Sequence, residues 1–259
     1  MKNEMQALCA AITFYTRIPL PQTVIVEERA FYTASKYLPL IGWLVGCTQA
    51  LMFVVLHLFF PIRVCVVLTV VAGILVTGAL HEDGFIDCCD AFGGGKDKDE
   101  TLRIMKDSHI GAYGLIGYSA LLFLKIELFV VMAAWDSSLV ILCCIAAQSL
   151  SRLMALWFIA TEPYARLNDE SSKSRMLVSA VFERREILWA VLCGLLPLLF
   201  LQSLWLFVIA VALLVLLKRS LSTYFVRRIG GYTGDCLGAV QQISEVMIYM
   251  SIVLIWNCI

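Results

Sequence analysis

The sequence has 259 residues, of which 61% are hydrophobic and 15% charged, and its formal net charge at pH 7 is zero. Its mean hydropathy of +0.85 is far above what a soluble domain of this length needs for its core, which excludes a soluble globular protein. The ten cysteines show no Cys-x-x-Cys spacing and no basic tract stands out, so a disulfide framework, a zinc site and a nucleic-acid partner are not indicated.

The predicted fold is all-α: a polytopic integral membrane bundle made by one domain, residues 1–259. The first 36 residues lack the pattern of a secretory signal and are a candidate interfacial amphipathic helix. Because a bilayer core needs about 20 apolar residues per helix, spans are predicted near 38–60, 62–80, 111–134, 138–160 and 240–258. The apolar run 187–217 is too long for one span. Pro197 and Gln202 in its middle favour two short helices or a hairpin, giving about seven spans, six to seven in all.

The basic residues test this topology independently, because Lys and Arg are retained near the cytoplasmic ends of spans. With the N-terminus inside, seventeen of the twenty fall on inner segments: Lys2, Arg17, Arg29, Lys36, Lys96, Lys98, Arg103, Lys106, Arg166, Lys173, Arg175, Arg184, Arg185, Lys218, Arg219, Arg227 and Arg228. Only Arg63 falls outside, while Lys125 and Arg152 fall within predicted spans. We therefore expect the loops 81–110, 161–186 and 218–239 to meet on one cytoplasmic face.

The stretch HEDGFIDCCDAFGGG, residues 81–95, places four carboxylates where an apolar run ends. Asp83, Asp87 and Asp90 follow an i, i+4, i+7 spacing, so a helix continuing through them would present all three on one face. Like charges in such a stripe repel one another, and a bound cation would offset that repulsion. Carboxylate oxygens suit Mg²⁺ or Mn²⁺ completed by substrate phosphate. The alternative is a solvated acidic loop at a helix end.

The glycine run 93–95 and the polar residues beyond it suggest phosphate binding. Glycines allow close backbone approach and positive φ, as phosphate-binding loops require, although a glycine run also simply ends a helix. The next polar stretch ends in Lys106, Asp107, Ser108 and His109. Here a lysine can neutralise phosphate, Asp107 can add a metal ligand, and the serine and histidine offer hydrogen bonds. A solvated helix of mixed charge would look similar.

Residues 229–245 form a second polar stretch. Thr233 and Asp235 lie among four glycines, and Gln241 and Glu245 then enter the final span together with a second glutamine. Amides and carboxylates are costly when they face lipid, so these side chains must face protein, water or substrate. The alternative is a packed interhelical hydrogen-bond cluster, which fits the glutamines better than the glycine-rich turn.

Three charged residues lie inside predicted spans away from these stretches. Arg152, beside Ser151, is expensive in lipid and is expected to reach a buried acid or substrate phosphates. Lys125 and Glu127 are expected to be interfacial or to snorkel towards the membrane surface.

The polar motifs, taken in order, resemble those of the cobalamin synthases, the adenosylcobinamide-GDP ribazoletransferase family. The resemblance runs nearly end to end and rests on FYTRIPLP at 14–21, LPLIGWLVG at 38–46, HEDGFIDCCDAFGGG at 81–95, IMKDSHIGAYG at 104–114, Ser151-Arg152, YAR at 164–166 and GGYTGDCLGA at 230–239. The sequence departs from the family pattern at two positions. Glu82 stands where the family also admits Leu, and Ala91 stands where Gly is frequent.

This resemblance implies a Mg²⁺-dependent transfer in which α-ribazole, or its 5′-phosphate, attacks adenosylcobinamide-GDP, releasing GMP and giving adenosylcobalamin or its 5′-phosphate. Phosphoryl transfer depends on positioning and charge stabilisation, which an acidic metal site and nearby cations would supply. The resemblance implies a multi-pass protein of the bacterial inner membrane, with its active site facing the cytoplasm. Besides lipid and the small-molecule substrates, it allows a homo-oligomer and association with other cobalamin-pathway enzymes as partners.

The residue pattern and the family resemblance together predict the site residues. Asp83 and Asp87 are expected to hold the metal, with Asp90 as third ligand or general base and His81 orienting an aspartate or donating to phosphate. The complete assignment is: metal, Asp83, Asp87, Asp90 and Asp107; catalysis, His81, Asp83, Asp87 and Asp90; substrates, Gly93, Gly94, Gly95, Lys106, Ser108, His109, Arg152, Thr233, Gly234, Asp235 and Gln241.

Two other classes compete with this interpretation. CDP-alcohol phosphotransferases carry out similar chemistry with a DxxDG motif, then Ala-Arg, then GxxxDxxxD, and the order of Asp and Gly differs here. A secondary transporter would place its ionisable groups near the membrane midplane in broken helices. The sequence predicts instead that these groups gather at one rim of the bundle.

Overall fold

The computed structural model describes residues 2–21, 23–166, 182–201 and 203–257, and these residues form helices joined by short turns. The helices are α1 Lys2–Tyr15, α2 Phe31–Ala34, α3 Leu38–His57, α4 Ile62–Thr77, α5 Leu80–Gly94, α6 Lys98–Ile104, α7 Ala112–Trp135, α8 Ser137–Thr161, α9 Arg184–Leu199, α10 Leu204–Ile229 and α11 Gly234–Trp256. Within the described ranges the only β-type pairing is an isolated parallel bridge between Tyr164 and Tyr232. The prediction of an all-α fold is confirmed.

Several of these helices are long and apolar enough to cross a membrane. Five qualify singly within the described chain: Glu28–His57 and α7, α8, α10 and α11. A sixth forms if α4 and α5, which meet at a bend of 91°, count as one broken span. The chain is therefore a polytopic helical membrane protein. The seventh predicted span falls on α9, whose 16 residues are fewer than the roughly 20 that a bilayer core requires.

The predicted division of residues 187–217 into two helices is confirmed, since α9 ends at Leu199 and α10 begins at Leu204. However, α10 continues to Ile229, so the first half of the predicted loop 218–239 is helical. The apolar part of α10 ends before its polar C-terminal turns, and hydropathy alone does not show that the helix goes on. Of the predicted loop 161–186, residues 167–181 lie outside the described part of the chain.

The predicted span 62–80 is broken between α4 and α5. Gly78 adopts φ 65° and Ala79 φ 59°, both left-handed conformations, and the latter is rare for a residue with a Cβ. The N-terminal segment covers this break: the Arg17 amide donates to the Val76 carbonyl at 2.7 Å, and the Arg17 side chain packs on Gly78. Non-helical backbone within a broken span is tolerated where protein buries it.

Close helix packing depends on small residues. Gly42 and Gly46 of α3 bring that helix against the backbone of α8, where an added Cβ would overlap α8 atoms. Gly84 of α5 and Gly238 of α11 face each other at a second crossing, and added Cβ atoms there would lie 2.9 Å from the carbonyls of Asp235 and His81. Small residues at interfaces are the usual means by which membrane helices approach closely.

The N-terminal helix packs on the bundle through one side. Ala7, Ala10 and Ala11 are buried, whereas Met5 is exposed, so the predicted amphipathic helix is present. Lys36 ties this region to α9, because its Nζ lies 2.7 Å from carboxylate oxygens of both Glu4 and Glu186. The location of α1 at the membrane interface stays a prediction.

Candidate active site

Four aspartates gather where α5 approaches the N-terminus of α11. The helix α5 continues through Asp83, Asp87 and Asp90, as their spacing predicted. The Asp87 carboxylate is within electrostatic reach of the other two and of Asp235, the second residue of α11. Asp83 is exposed, while Asp87, Asp90 and Asp235 are half-buried. The result is a concentrated negative charge at one end of the bundle.

A cavity of about 120 Å³ opens beside these carboxylates. Asp83 and Asp235 line one part of it, and Phe14, Tyr15 and Leu38 supply an apolar wall. The aromatic wall comes from the N-terminal motif FYTRIPLP, to which no site role was assigned from the sequence. A cavity with a few converging polar groups on an apolar wall is the usual form of a small-molecule site.

Asp90 is engaged in holding α7. Its two carboxylate oxygens accept hydrogen bonds from the amides of Gly111 and Gly114, each at 2.8 Å. These amides lie at the start of α7, where backbone N–H groups lack helical partners and a carboxylate is favoured. Both glycines are needed for this approach, since a Cβ on either would overlap the Asp90 carboxylate. The assignment of Asp90 as metal ligand or general base stays a prediction.

The other predicted metal ligand, Asp107, is exposed and pairs with His109, whose Nδ1 lies 2.7 Å from Asp107 Oδ1. Hydrogen bonds from His109 lower the pKa of this carboxylate. Lys106 and Ser108 beside it are exposed too. Among the residues that the structure describes, no group of three or more His, Cys, Asp or Glu side chains is arranged to enclose a metal ion by itself.

The glycine run 93–95 ends α5 and is contacted by Arg228 of α10. Gly93 and Gly94 are exposed, whereas Gly95 is buried and its carbonyl accepts a hydrogen bond from Arg228 at 2.8 Å. The run does not use the positive φ that glycine allows: Gly95 has φ −76°, and across the described ranges only Gly78, Gly230 and Gly231 are glycines with positive φ. The alternative, a glycine run that ends a helix, is what the structure shows. Of the two glycine-rich stretches, only the second contains left-handed backbone, at Gly230.

That second stretch forms a capped turn leading into α11. Thr233 is the N-cap residue, and its Oγ1 accepts from the amide of Cys236 at 3.2 Å. The preceding Tyr232 pairs with the Pro163–Ala165 segment through two backbone hydrogen bonds of 2.9 and 3.0 Å. This pairing carries Arg166 to the site, where its Nη1 lies 3.5 Å from Asp235 Oδ2. Arg166 belongs to the YAR motif at 164–166 of the family resemblance, but the sequence predicts no role for it.

A second polar cluster, the buried network, lies in the interior of the bundle. Glu82 Oε1 accepts from Gln242 Nε2 at 2.9 Å, and Gln242 Oε1 accepts from Lys125 Nζ at 2.9 Å. Lys125 also lies 3.2 Å from Glu245 Oε2. Because Gln242 and Glu245 lie near the middle of α11, the first turn of α5 begins inside the bundle. The prediction that residues 81–110 form a loop at the membrane surface is therefore wrong for its first part.

Arg152 and Gln241, assigned to substrate, belong to this buried network. Arg152 donates to the Gln148 carbonyl at 3.1 Å and to the Gln148 side chain. Gln241 Nε2 contacts Ser151 Oγ at 3.1 Å and Glu245 Oε2 at 3.0 Å. The packed interhelical hydrogen-bond cluster, kept open as an alternative for the glutamines, is what the structure shows. His81, also buried, lines the cavities on both sides, at Asp83 and at the buried network.

The expectation for Lys125 is wrong. Its side chain is only 5% exposed and is paired inside the bundle, whereas Glu127 does reach the surface and pairs with exposed Arg63 at 2.9 Å. Ionisable groups are thus not confined to one rim, which removes the sequence argument used against a transporter. The burial of Lys125 would have been visible from the sequence only if its partner on another helix, Glu245, had been known.

The fold and site together define a polytopic helical membrane protein with a carboxylate-rich cavity between a broken span and the N-terminus of its last helix. The chain belongs to the cobalamin-5-phosphate synthase family, whose family model matches residues 7–253. It is 39% identical over 258 residues to an adenosylcobinamide-GDP ribazoletransferase of Ralstonia nicotianae, covering 99% of this chain and 98% of the relative. A protein of the same name from Shewanella frigidimarina is 38% identical over 250 residues, covering 96% and 95%. No solved structure matches the chain.

Proposed function

We propose that this protein joins adenosylcobinamide-GDP to α-ribazole, or to α-ribazole 5′-phosphate, giving adenosylcobalamin or its 5′-phosphate and GMP. Family membership over nearly the whole chain and the name shared by its relatives support this reaction. The structural observation that carries it is one cavity lined by both Asp83 and Asp235, with Asp87 within electrostatic reach of the two. Transfer between a pyrophosphate and a hydroxyl needs such a site because its transition state is stabilised mainly by charge and position.

Mg²⁺ is the proposed cofactor, and the carboxylate oxygens at this site are ligands that suit it. Mg²⁺ binds through one or two carboxylates, keeps several waters and is completed by substrate phosphates, so a closed protein cage is not expected. Asp83, Asp87 and Asp235 offer hard oxygen ligands with one guanidinium, that of Arg166, nearby. When bound, the ion supplies positive charge to the pyrophosphate oxygens.

The remaining steps fall to residues of the chain. The ribazole hydroxyl oxygen forms a bond to the phosphorus on the cobinamide side, the bond from that phosphorus to the GMP oxygen breaks, and the hydroxyl proton passes to a base. Asp83 and Asp87 would hold the metal ion, while Lys106, Ser108 and His109 orient the phosphates. The glycine run 93–95 supplies no free amide for this, because it ends α5 and the Gly95 amide donates to the Ala91 carbonyl at 2.9 Å. Asp90 could take the ligand or base role only by releasing two amides, so the proposal gives it a positioning role first.

We place the aspartate end of the bundle on the cytoplasmic side of a bacterial inner membrane. Basic residues concentrate at that end, including Lys98 beside Gly230, Arg166 beside Asp235 and Arg228 on the Gly95 carbonyl. Such an excess of positive charge is typical of cytoplasmic segments. Other cobalamin-pathway enzymes would dock at this same end, and a homo-oligomer is a further proposed partner of unspecified location.

The reaction is tested with detergent-solubilised protein, adenosylcobinamide-GDP, α-ribazole and Mg²⁺, followed by chromatography for GMP and cobalamin. CDP-diacylglycerol in a parallel reaction tests the phospholipid class. Asp83→Asn should lower turnover by about 100-fold or more, as loss of a charge-stabilising group does, while Asp99→Asn, on exposed α6, should not. Formation of no GMP by the wild-type protein would refute the proposed function.

A further inference from the structure

Arg166 is held in place by the backbone. Residues Pro163 to Ala165 pair with Tyr232 through hydrogen bonds of 2.9 and 3.0 Å, and the rings of Tyr164 and Tyr232 meet edge to face at 5.5 Å. Gly231, with φ 155°, allows this approach, because a Cβ there would overlap the Pro163 carbonyl. The position of the Arg166 Cα relative to α11 is therefore fixed by main-chain contacts.

Its guanidinium, in contrast, has few good partners. The side chain is only 13% exposed, and its ion pair with Asp235 spans 3.5 Å. Its contact with the Leu102 carbonyl is also 3.5 Å, and its Nε has no hydrogen-bond partner among the described residues. A guanidinium has five N–H donors, and leaving buried donors unsatisfied is costly. The guanidinium of Arg228, in contrast, has good partners: it donates to the Gly95 carbonyl at 2.8 Å and lies over two aromatic rings.

The missing partner is anionic. Arg166 is the cation acting on Asp87, while Asp235, Asp83 and Asp90 all repel that carboxylate. Asp235 does not satisfy Arg166, because the 3.5 Å between Nη1 and Oδ2 is longer than a charge-assisted hydrogen bond. A guanidinium is planar and matches phosphate oxygens with two parallel hydrogen bonds. A phosphate entering beside the aspartates would find those donors already positioned.

We infer that Arg166 is a substrate-binding residue whose guanidinium takes phosphate oxygens of the nucleoside diphosphate half of the substrate, at the aspartate cluster. This inference rests on the proposed function and adds a residue to it. The bond made is a charge-assisted, bidentate contact to the group that leaves as a nucleoside monophosphate. The second substrate, which carries the attacking hydroxyl, makes no contact with Arg166.

The test measures binding and turnover in Arg166→Gln and Arg166→Lys. Wild-type protein, Arg103→Gln as an exposed arginine control, and both variants are compared by equilibrium dialysis with GMP and Mg²⁺. Loss of a charge-assisted bidentate contact should weaken GMP binding by about tenfold or more in Arg166→Gln. It should raise KM for adenosylcobinamide-GDP by a similar factor and leave KM for α-ribazole unchanged. Arg166→Lys should fall between, because an ammonium keeps the charge and loses the fork.

Two outcomes overturn the inference. One is a GMP affinity of folded Arg166→Gln that equals the wild-type affinity. If the glutamine variant does not fold, the same result for Arg166→Lys overturns the inference. The other is an equal change in KM for both substrates, which a purely structural role beside Asp235 would give. Absence of turnover in the wild-type protein refutes the proposed function instead, and the dialysis measurement still judges Arg166.

Discussion

Lys125 Nζ lies 3.2 Å from Glu245 Oε2, and both side chains are buried where α7 meets α11. Lys125 also donates to Gln242, which donates to Glu82 in the first turn of α5. Three helices are thus joined through one short chain of polar contacts. Asp83 follows Glu82 directly, so this buried pair helps to set the depth at which the acidic face of α5 begins.

Lys125→Met is expected to destabilise the protein by about 3 kcal/mol, because it removes the cation that is paired with the buried Glu245 carboxylate. Thermal unfolding in detergent, followed by loss of helical circular dichroism, measures the change. The matched control is Arg63→Gln, which removes an exposed pair with Glu127 and should cost about 1 kcal/mol or less. Equal effects of the two substitutions would show that the buried pair has no special weight.

Asp235→Asn should raise the Mg²⁺ concentration needed for half-maximal turnover by about tenfold or more, the size seen when a group supporting a metal is lost. The sequence assigned Asp235 to substrate, whereas the structure places it among the aspartates that surround Asp87. Mg²⁺ titration of initial rates is the measurement, with Asp99→Asn alongside. A rise in substrate KM at unchanged Mg²⁺ dependence would restore the original assignment.

Gly84→Ala should force α5 and α11 apart, since the new Cβ would lie 2.9 Å from the Asp235 carbonyl. We expect a loss of about 1–3 kcal/mol in stability, as for other overpacked sites. Gly94→Ala, whose Cβ meets only Ile104 Cδ1 at 3.4 Å, is the control and should change stability by less than about 1 kcal/mol. If both variants melt alike, the crossing at Gly84 is looser than the structure shows.

Asp90→Asn should lower stability by about 1–2 kcal/mol, because an amide can accept from only one of the two N–H groups at the start of α7. Turnover of the folded variant should fall far less than in Asp83→Asn. Asp97→Asn at the exposed cap of α6 is the control, and its effect should be smaller. A loss of turnover as deep as that of Asp83→Asn would instead support Asp90 as ligand or base.

The sequence predicts the long helices well because hydropathy and length are local properties. The helical face of Asp83, Asp87 and Asp90 follows from spacing for the same reason. The break at Gly78 and Ala79 does not, because the apolar run crosses it without interruption and the contact that covers it comes from Arg17, far away in sequence. Local signals cannot show such a partner.

Long-range pairing explains the other differences. Lys125 alone in an apolar run is ambiguous between snorkelling and burial, and only Glu245 on another helix decides it. Asp90 looks equivalent to Asp83 in spacing, but the amides of Gly111 and Gly114 occupy it. Arg166 follows no periodicity, and the backbone pairing of Tyr232 with its neighbours brings it to the site.

The crossing of Gly84 and Gly238 has a mechanical consequence. With no side chains between them, the two helices touch through main-chain atoms, which leaves no soft layer that could absorb a displacement. The spacing between the Cα atoms of Asp83 on one helix and Asp235 on the other is then set by van der Waals contact between main-chain atoms. The backbone segments that carry the two carboxylates should move as one stiff unit, so only side-chain rotation remains to adjust the site to a substrate.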